Sequence, residues 1–134
     1  MGWFSFIAGR PATGNGRTRQ EQYQDINRNL LALRAMLASG EKPYGWNRSQ
    51  TDTGDPGKPN TVTYALGVLR IRKTMTYGTV GGAAGNIVKA VYEYSDTSGA
   101  SWEPMADEDG NYVENNTFHA SRFICTATTW SNTP

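Results

Sequence analysis

The sequence predicts a mainly β protein with one N-terminal α-helix: a short coiled-coil rod followed by a small antiparallel β-sandwich or barrel-like head. Three observations predict it. Residues 18–40 spell one helix with both ends marked, and 41–59 are rich in Pro and Gly. Residues 60–134 read as short alternating runs joined by turn residues, with no helical pattern between them. The chain thus divides into an extended anchor segment (1–17), a coiled-coil helix (18–40), an irregular linker (41–59) and an antiparallel β domain (60–134).

The anchor begins Met-Gly-Trp-Phe-Ser-Phe-Ile, then breaks at Gly9-Arg10. It has no charged n-region and is too short for a signal sequence. Phe6 stands where a myristoylation pattern wants Ser or Thr. Trp3, Phe4, Phe6 and Ile7 therefore stay on the chain and need burial. An aromatic anchor seated in a partner's groove supplies it. The alternative is a terminus that folds back on its own helix.

The helix opens with a capping box, Thr18-Arg19-Gln20-Glu21, and closes at Gly40 with Pro43 beyond. Its apolar residues Tyr23, Ile26, Leu30, Leu33 and Leu37 follow a 3-4-3-4 spacing, the seam of a coiled coil. A lone helix of this length is marginal in water. The seam therefore predicts self-association, and Leu31 and Met36 widen it toward a homotrimer. The competing reading is an amphipathic helix docked on the chain's own β domain. The strict seam and the long irregular stretch after it weigh for separate chains.

In the linker, Tyr44 and Trp46 are positioned to pin its start. Strands are expected over 60–66, 68–77, 87–94, 101–105, 112–113 and 117–129. In the second, Leu69, Ile71, Met75 and Tyr77 share a face that Lys73 interrupts, which places Lys73 near a rim. Gly78 to Gly85 reads as a hairpin loop. Asp96 to Gly99 makes a tight turn with Trp102 packed back beneath it.

Net charge is +1, so no overall field steers the chain to nucleic acid or acidic lipid. Apolar residues make up 37%, modest for a private core. The lone Cys125 reads as a buried thiol in the last strand, and the lone His119 has no companions for a zinc site. On one regular strand those two residues stand about 20 Å apart, too far for a dyad. The Gly-rich loop lacks a following Lys-Ser/Thr and opens onto a strand, so it is no phosphate cradle. Asp107-x-Asp109-x-Asn111 starts like a calcium loop, but Tyr112 replaces the required Gly and Phe118 the required Glu. No cofactor, metal or catalytic constellation is expected. Tyr94 and Trp102 are the candidate aromatic contacts for a glycan.

Ser95 to Trp102 resembles the Asp-box hairpin of sialidase-like proteins, off by one residue between Asp and Gly. More broadly, Pro43-Tyr-Gly-Trp46, Thr76-Tyr-Gly-Thr-Val-Gly-Gly-Ala-Ala-Gly-Asn86 and Val91-Tyr-Glu-Tyr-Ser-Asp-Thr-Ser-Gly-Ala-Ser-Trp102 resemble a group of small tailed-bacteriophage structural proteins. The resemblance covers about residues 43–113 and concerns structural motifs. It implies a non-enzymatic virion component, a tail- or collar-associated fibre or spike. Its expected partners are copies of itself and a portal or adaptor, tail or capsid protein, with no membrane insertion. Capsid decoration and a carbohydrate-binding head are the alternatives.

Overall fold

Helix α1 (Arg19–Ser39) has no interior Gly or Pro and ends as its sequence dictates. Gly40 takes φ +79°, the Glu41 N–H donates to the Met36 carbonyl at 2.9 Å, and the Gly40 N–H donates to that of Leu37 at 3.4 Å. This six-to-one and five-to-two pair satisfies two end carbonyls, and a side chain at Gly40 would strain the left-handed turn. These features belong to a computed structural model that describes residues 19–134 except Thr53 and Pro56, with side chains from Asn29 onward. The anchor residues Trp3, Phe4, Phe6 and Ile7 and the cap Thr18 lie outside the described residues, and the side chains of Tyr23 and Ile26 lie outside the described side chains.

Seven strands follow: β1 (Asn47–Asp52), β2 (Pro59–Leu66), β3 (Leu69–Tyr77), β4 (Ile87–Ser95), β5 (Glu103–Pro104), β6 (Val113–Phe118) and β7 (Cys125–Ser131). All pair antiparallel in one sheet, in the order β1-β2-β3-β4-β6-β7, with β5 beside the end of β4. The expected antiparallel β domain is present, but as a single sheet rather than a sandwich or barrel. The reason lies in the helix. Leu30, Leu33 and Leu37 are all but fully buried, in one core with Trp46, Val62, Tyr64, Leu69, Ile71, Met75, Ala90, Tyr92 and Met105. The helix is the second layer, and it covers the apolar face that a second sheet would otherwise cover. A rod separate from the head is not shown. The three leucines read as an inter-chain seam face the chain's own sheet.

Register explains which residues reach that core. Tyr64 lies opposite Ile71, Ile71 opposite Tyr94, and Met75 opposite Ala90. Directly opposed residues share a face, so Val62, Tyr64, Leu69, Ile71, Met75, Ala90 and Tyr92 point at the helix. The opposite face carries Thr61, Thr63, Arg70, Arg72, Thr74 and Glu93. Such alternation, polar on one side and apolar on the other, is what a sheet covered on one face requires.

Five sequence expectations change. The linker 41–59 contains β1, an edge strand with almost no buried residue, so there was no alternation to read. Trp46 pins the linker's start at 1% exposure, whereas Tyr44 is 97% exposed. The expected strand over 117–129 is two strands: β6 runs through Phe118, the chain turns over 119–124, and β7 starts at Cys125. His119 helps make that turn, its Nδ1 accepting from the Ser121 N–H at 3.1 Å while its own N–H donates to the Ile124 carbonyl at 2.9 Å. His119 and Cys125 therefore do not share a strand, and Cys125 is exposed rather than buried.

Candidate functional site

Among the described residues, three places gather chemistry-bearing side chains: a clamp between helix and sheet, the Trp102 hairpin, and the β7 end of the molecule.

The clamp is built on Arg34. A guanidinium in the C-terminal third of the helix, one residue after the seam's Leu33, points at the loop joining β5 to β6. Its Nη1 donates to the carbonyls of Met105 at 2.9 Å and Asn111 at 3.0 Å. Its Nη2 lies 4.0 Å from Asp107, and the ion stacks 4.3 Å from the Trp130 ring centre. Asp107 is held from its other side, its Oδ1 accepting from the N–H groups of Asp109 and Asn111, each at 3.0 Å. The calcium-like spelling is thus an Asx turn that offers its carbonyls to Arg34. Among the described residues, no group of three or more His, Cys, Asp or Glu side chains is arranged to hold a metal ion.

Beside it, the Tyr92 hydroxyl donates to Glu114 at 3.2 Å, and Asn116 donates to the other oxygen of Glu114 at 2.9 Å. Tyr92 packs on Trp130, with ring centres 5.7 Å apart. Burial, then the neighbouring Glu114 charge, pushes the Tyr92 phenol far above its ordinary value. Burial lowers Lys73, which sits 5.9 Å over the Tyr92 ring and reaches the Ala38 carbonyl at 3.5 Å. Lys73 therefore does not mark a rim: it meets the last turn of the helix, where a cation is favoured. Burial also lowers Arg34 and raises Tyr64, Tyr77 and Tyr94.

These tyrosines set a pH response. The folded state keeps all four phenols protonated above the ordinary tyrosine value of about 10, while the unfolded chain ionises there. Their contribution is complete below that value and is lost as pH rises above it. Stability should therefore fall above pH ~10, and Tyr92→Phe should flatten the fall in urea titrations across that range. An unchanged slope would contradict the assignment.

The Trp102 hairpin is organised by Ser95, not by Asp96. Buried Ser95 Oγ accepts from the N–H groups of Thr97 at 3.2 Å and Gly99 at 3.0 Å, and Thr97 Oγ1 accepts from the Ser101 N–H at 2.9 Å. Trp102 does pack back: it lies 3.9 Å from the Arg72 guanidinium, and Arg72 donates twice to one oxygen of Glu93. Arg72 and Glu93 are on the uncovered face, whereas Tyr94 lies opposite Ile71 on the helix face. The structure does not bring Tyr94 and Trp102 into one glycan platform.

At the β7 end, Gly82 meets the 119–122 turn backbone to backbone, its N–H donating to the Ala120 carbonyl at 3.0 Å. A Cβ on Gly82 would run into the backbone oxygens of His119 and Arg122. Gly82→Ala should therefore cost about 1–3 kcal/mol, as overpacking does, seen as a lowered thermal midpoint. An unchanged midpoint would mean the two loops do not depend on each other. Val80, Phe123 and Ile124 stand exposed on these loops. Along the same side, an apolar groove of ≈ 460 Å³ runs between helix and sheet, lined by Leu31, Arg34, Ala35, Ala38, Ser39 and Trp130. Sequence reading missed Arg34 and Trp130, because their partners are backbone carbonyls and a ring far away in the chain.

No protein-family model, no curated protein and no solved structure matches this chain. No helix among the described residues is long and apolar enough to cross a membrane.

Proposed function

We propose that the chain is a non-enzymatic structural protein of a bacteriophage particle, seated at the tail or collar and acting by docking and self-association. One observation carries the non-enzymatic part. The three part-buried carboxylates among the described side chains are tied into the fold: Glu93 by Arg72, Asp107 by the Asn111 N–H, and Glu114 by Tyr92 and Asn116. Groups held this way stiffen a scaffold and are poorly placed to exchange protons with a substrate. The particle setting rests on the segments that resemble phage structural proteins. Each has a structural task here: Trp46 fills the core, Gly82 locks two loops, and Ser95 shapes the Trp102 hairpin.

The proposal keeps residues 3–7 as the segment that seats the protein on a portal, adaptor or tail partner. It revises how copies meet. A threefold seam needs leucines that are free to face other chains, and Leu30, Leu33 and Leu37 are inside one chain. Association needs another surface.

The test is an inventory of purified particles by quantitative mass spectrometry. A copy number matching the symmetry of the tail or collar is expected. A number matching the capsomers would make it a decoration protein, and absence from the particle would overturn the proposal. Removing residues 2–9 should leave the sheet folded and abolish incorporation; retained incorporation would count against the anchor.

A further inference from the structure

We infer that β7 is an open docking edge for a second copy of this chain, pairing antiparallel with the same strand about a twofold axis at Thr128. The two edges of the sheet differ in a way that points there. β1 carries Arg48 and Asp52 among its six residues, the kind of charge that guards an edge. β7 carries no charge, and the whole stretch from Phe123 to Pro134 carries none. Its first five residues are exposed, although Cys, Thr and Ala alternate there in good strand geometry. It also has no Pro to cap its outward backbone groups.

Charge decides the identity of the partner. A twofold axis at Thr128 sets that residue against itself and Ala127 against Thr129, so a charge on the strand repels the second copy unless its opposite stands at the paired position. A strand without charges is compatible with itself.

The apolar surface is laid out to match. Phe123 (72% exposed) and Ile124 (55%) stand at the entry of β7, and Trp130 with the helix groove stands at its exit. Antiparallel pairing about Thr128 carries the entry of each copy to the exit of the other. Phe123 and Ile124 then meet Leu31, Ala35 and Trp130 of the second copy, and this happens twice in the dimer. An edge unpaired among the described residues, the exposed Phe123–Ile124 cluster and the half-buried apolar groove are covered in one step.

This deepens the proposed function by naming its self-association surface. Mass in solution tests the surface and the particle inventory tests the setting, so either can fail alone. Light scattering of the full chain should give twice the 14.7 kDa chain mass. Ala127 and Thr129 are exposed on the uncovered face and come opposite each other across the axis. Ala127→Lys with Thr129→Lys places lysines in direct opposition and should weaken the dimer about tenfold or more. Ala127→Lys with Thr129→Glu places opposite charges there and should restore it, with an unchanged far-ultraviolet dichroism spectrum. A monomeric or trimeric wild type, a double-lysine variant that dimerises as well as wild type, or a charge-swapped variant no better than the double lysine would each overturn the inference.

Discussion

Leu33→Ala should lower the unfolding free energy by about 3–5 kcal/mol, read from urea denaturation. Leu33 is fully buried in the core that joins α1 to β2, β3 and β4. Trimming its isobutyl side chain to a methyl takes away transfer free energy and leaves a cavity, because the other residues of the core are held by their own neighbours. The loss should be the same at low and high protein concentration, since the contact lies within one chain. A loss confined to dilute protein would instead place Leu33 in a seam between chains. The same experiment therefore separates the helix-on-sheet packing from the rod that the heptad spacing suggested.

The second large effect is expected at Arg34. Arg34→Met keeps much of the stem and removes the guanidinium, leaving the Met105 and Asn111 carbonyls without their donor and Asp107 without its cation. Stranding buried acceptors after deleting a charged donor costs about 2–4 kcal/mol. Backbone amides in the 105–112 loop should exchange faster, because the loop loses its tie to the helix. Arg34→Lys should recover less than half of the loss. An ammonium cannot reach two carbonyls and cover the Trp130 ring at once. Full rescue by Lys would mean that charge alone, and not the planar fork, holds the clamp.

Much of the local structure was legible in the chain. The helix ends at Ser39 because Gly40 supplies the left-handed turn, and sequence alone locates that stop. The strands around Leu69–Tyr77 and Ile87–Ser95 announce themselves by period two, because one face of each is covered. β1 did not, since an edge strand exposed on both faces has no period to display. The turn at 119–124 was hidden for another reason. Phe123, Ile124 and the residues after them have strand propensity, and only the pairing of β7 back onto β6 shows where the chain reverses. Cys125 misled for the same cause: its alternation is real, but it stands exposed.

The candidate site was less legible. Asp107 was noticed for the wrong chemistry, and the spacing places Arg34 only on the side of the helix away from the seam, because backbone carbonyls leave no mark in a pattern of side chains.

By itself the sequence determined the periods, the stops and the uncharged tail that runs from Phe123 to Pro134. These depend on neighbours in the chain, and propensity, capping and charge are local properties. Only the tertiary structure decided what the leucine stripe faces. A heptad seam states that one side of a helix must leave water, and a second helix or a sheet satisfies that equally well. Here the chain's own sheet lies within reach with an open apolar face, so the leucines close on it.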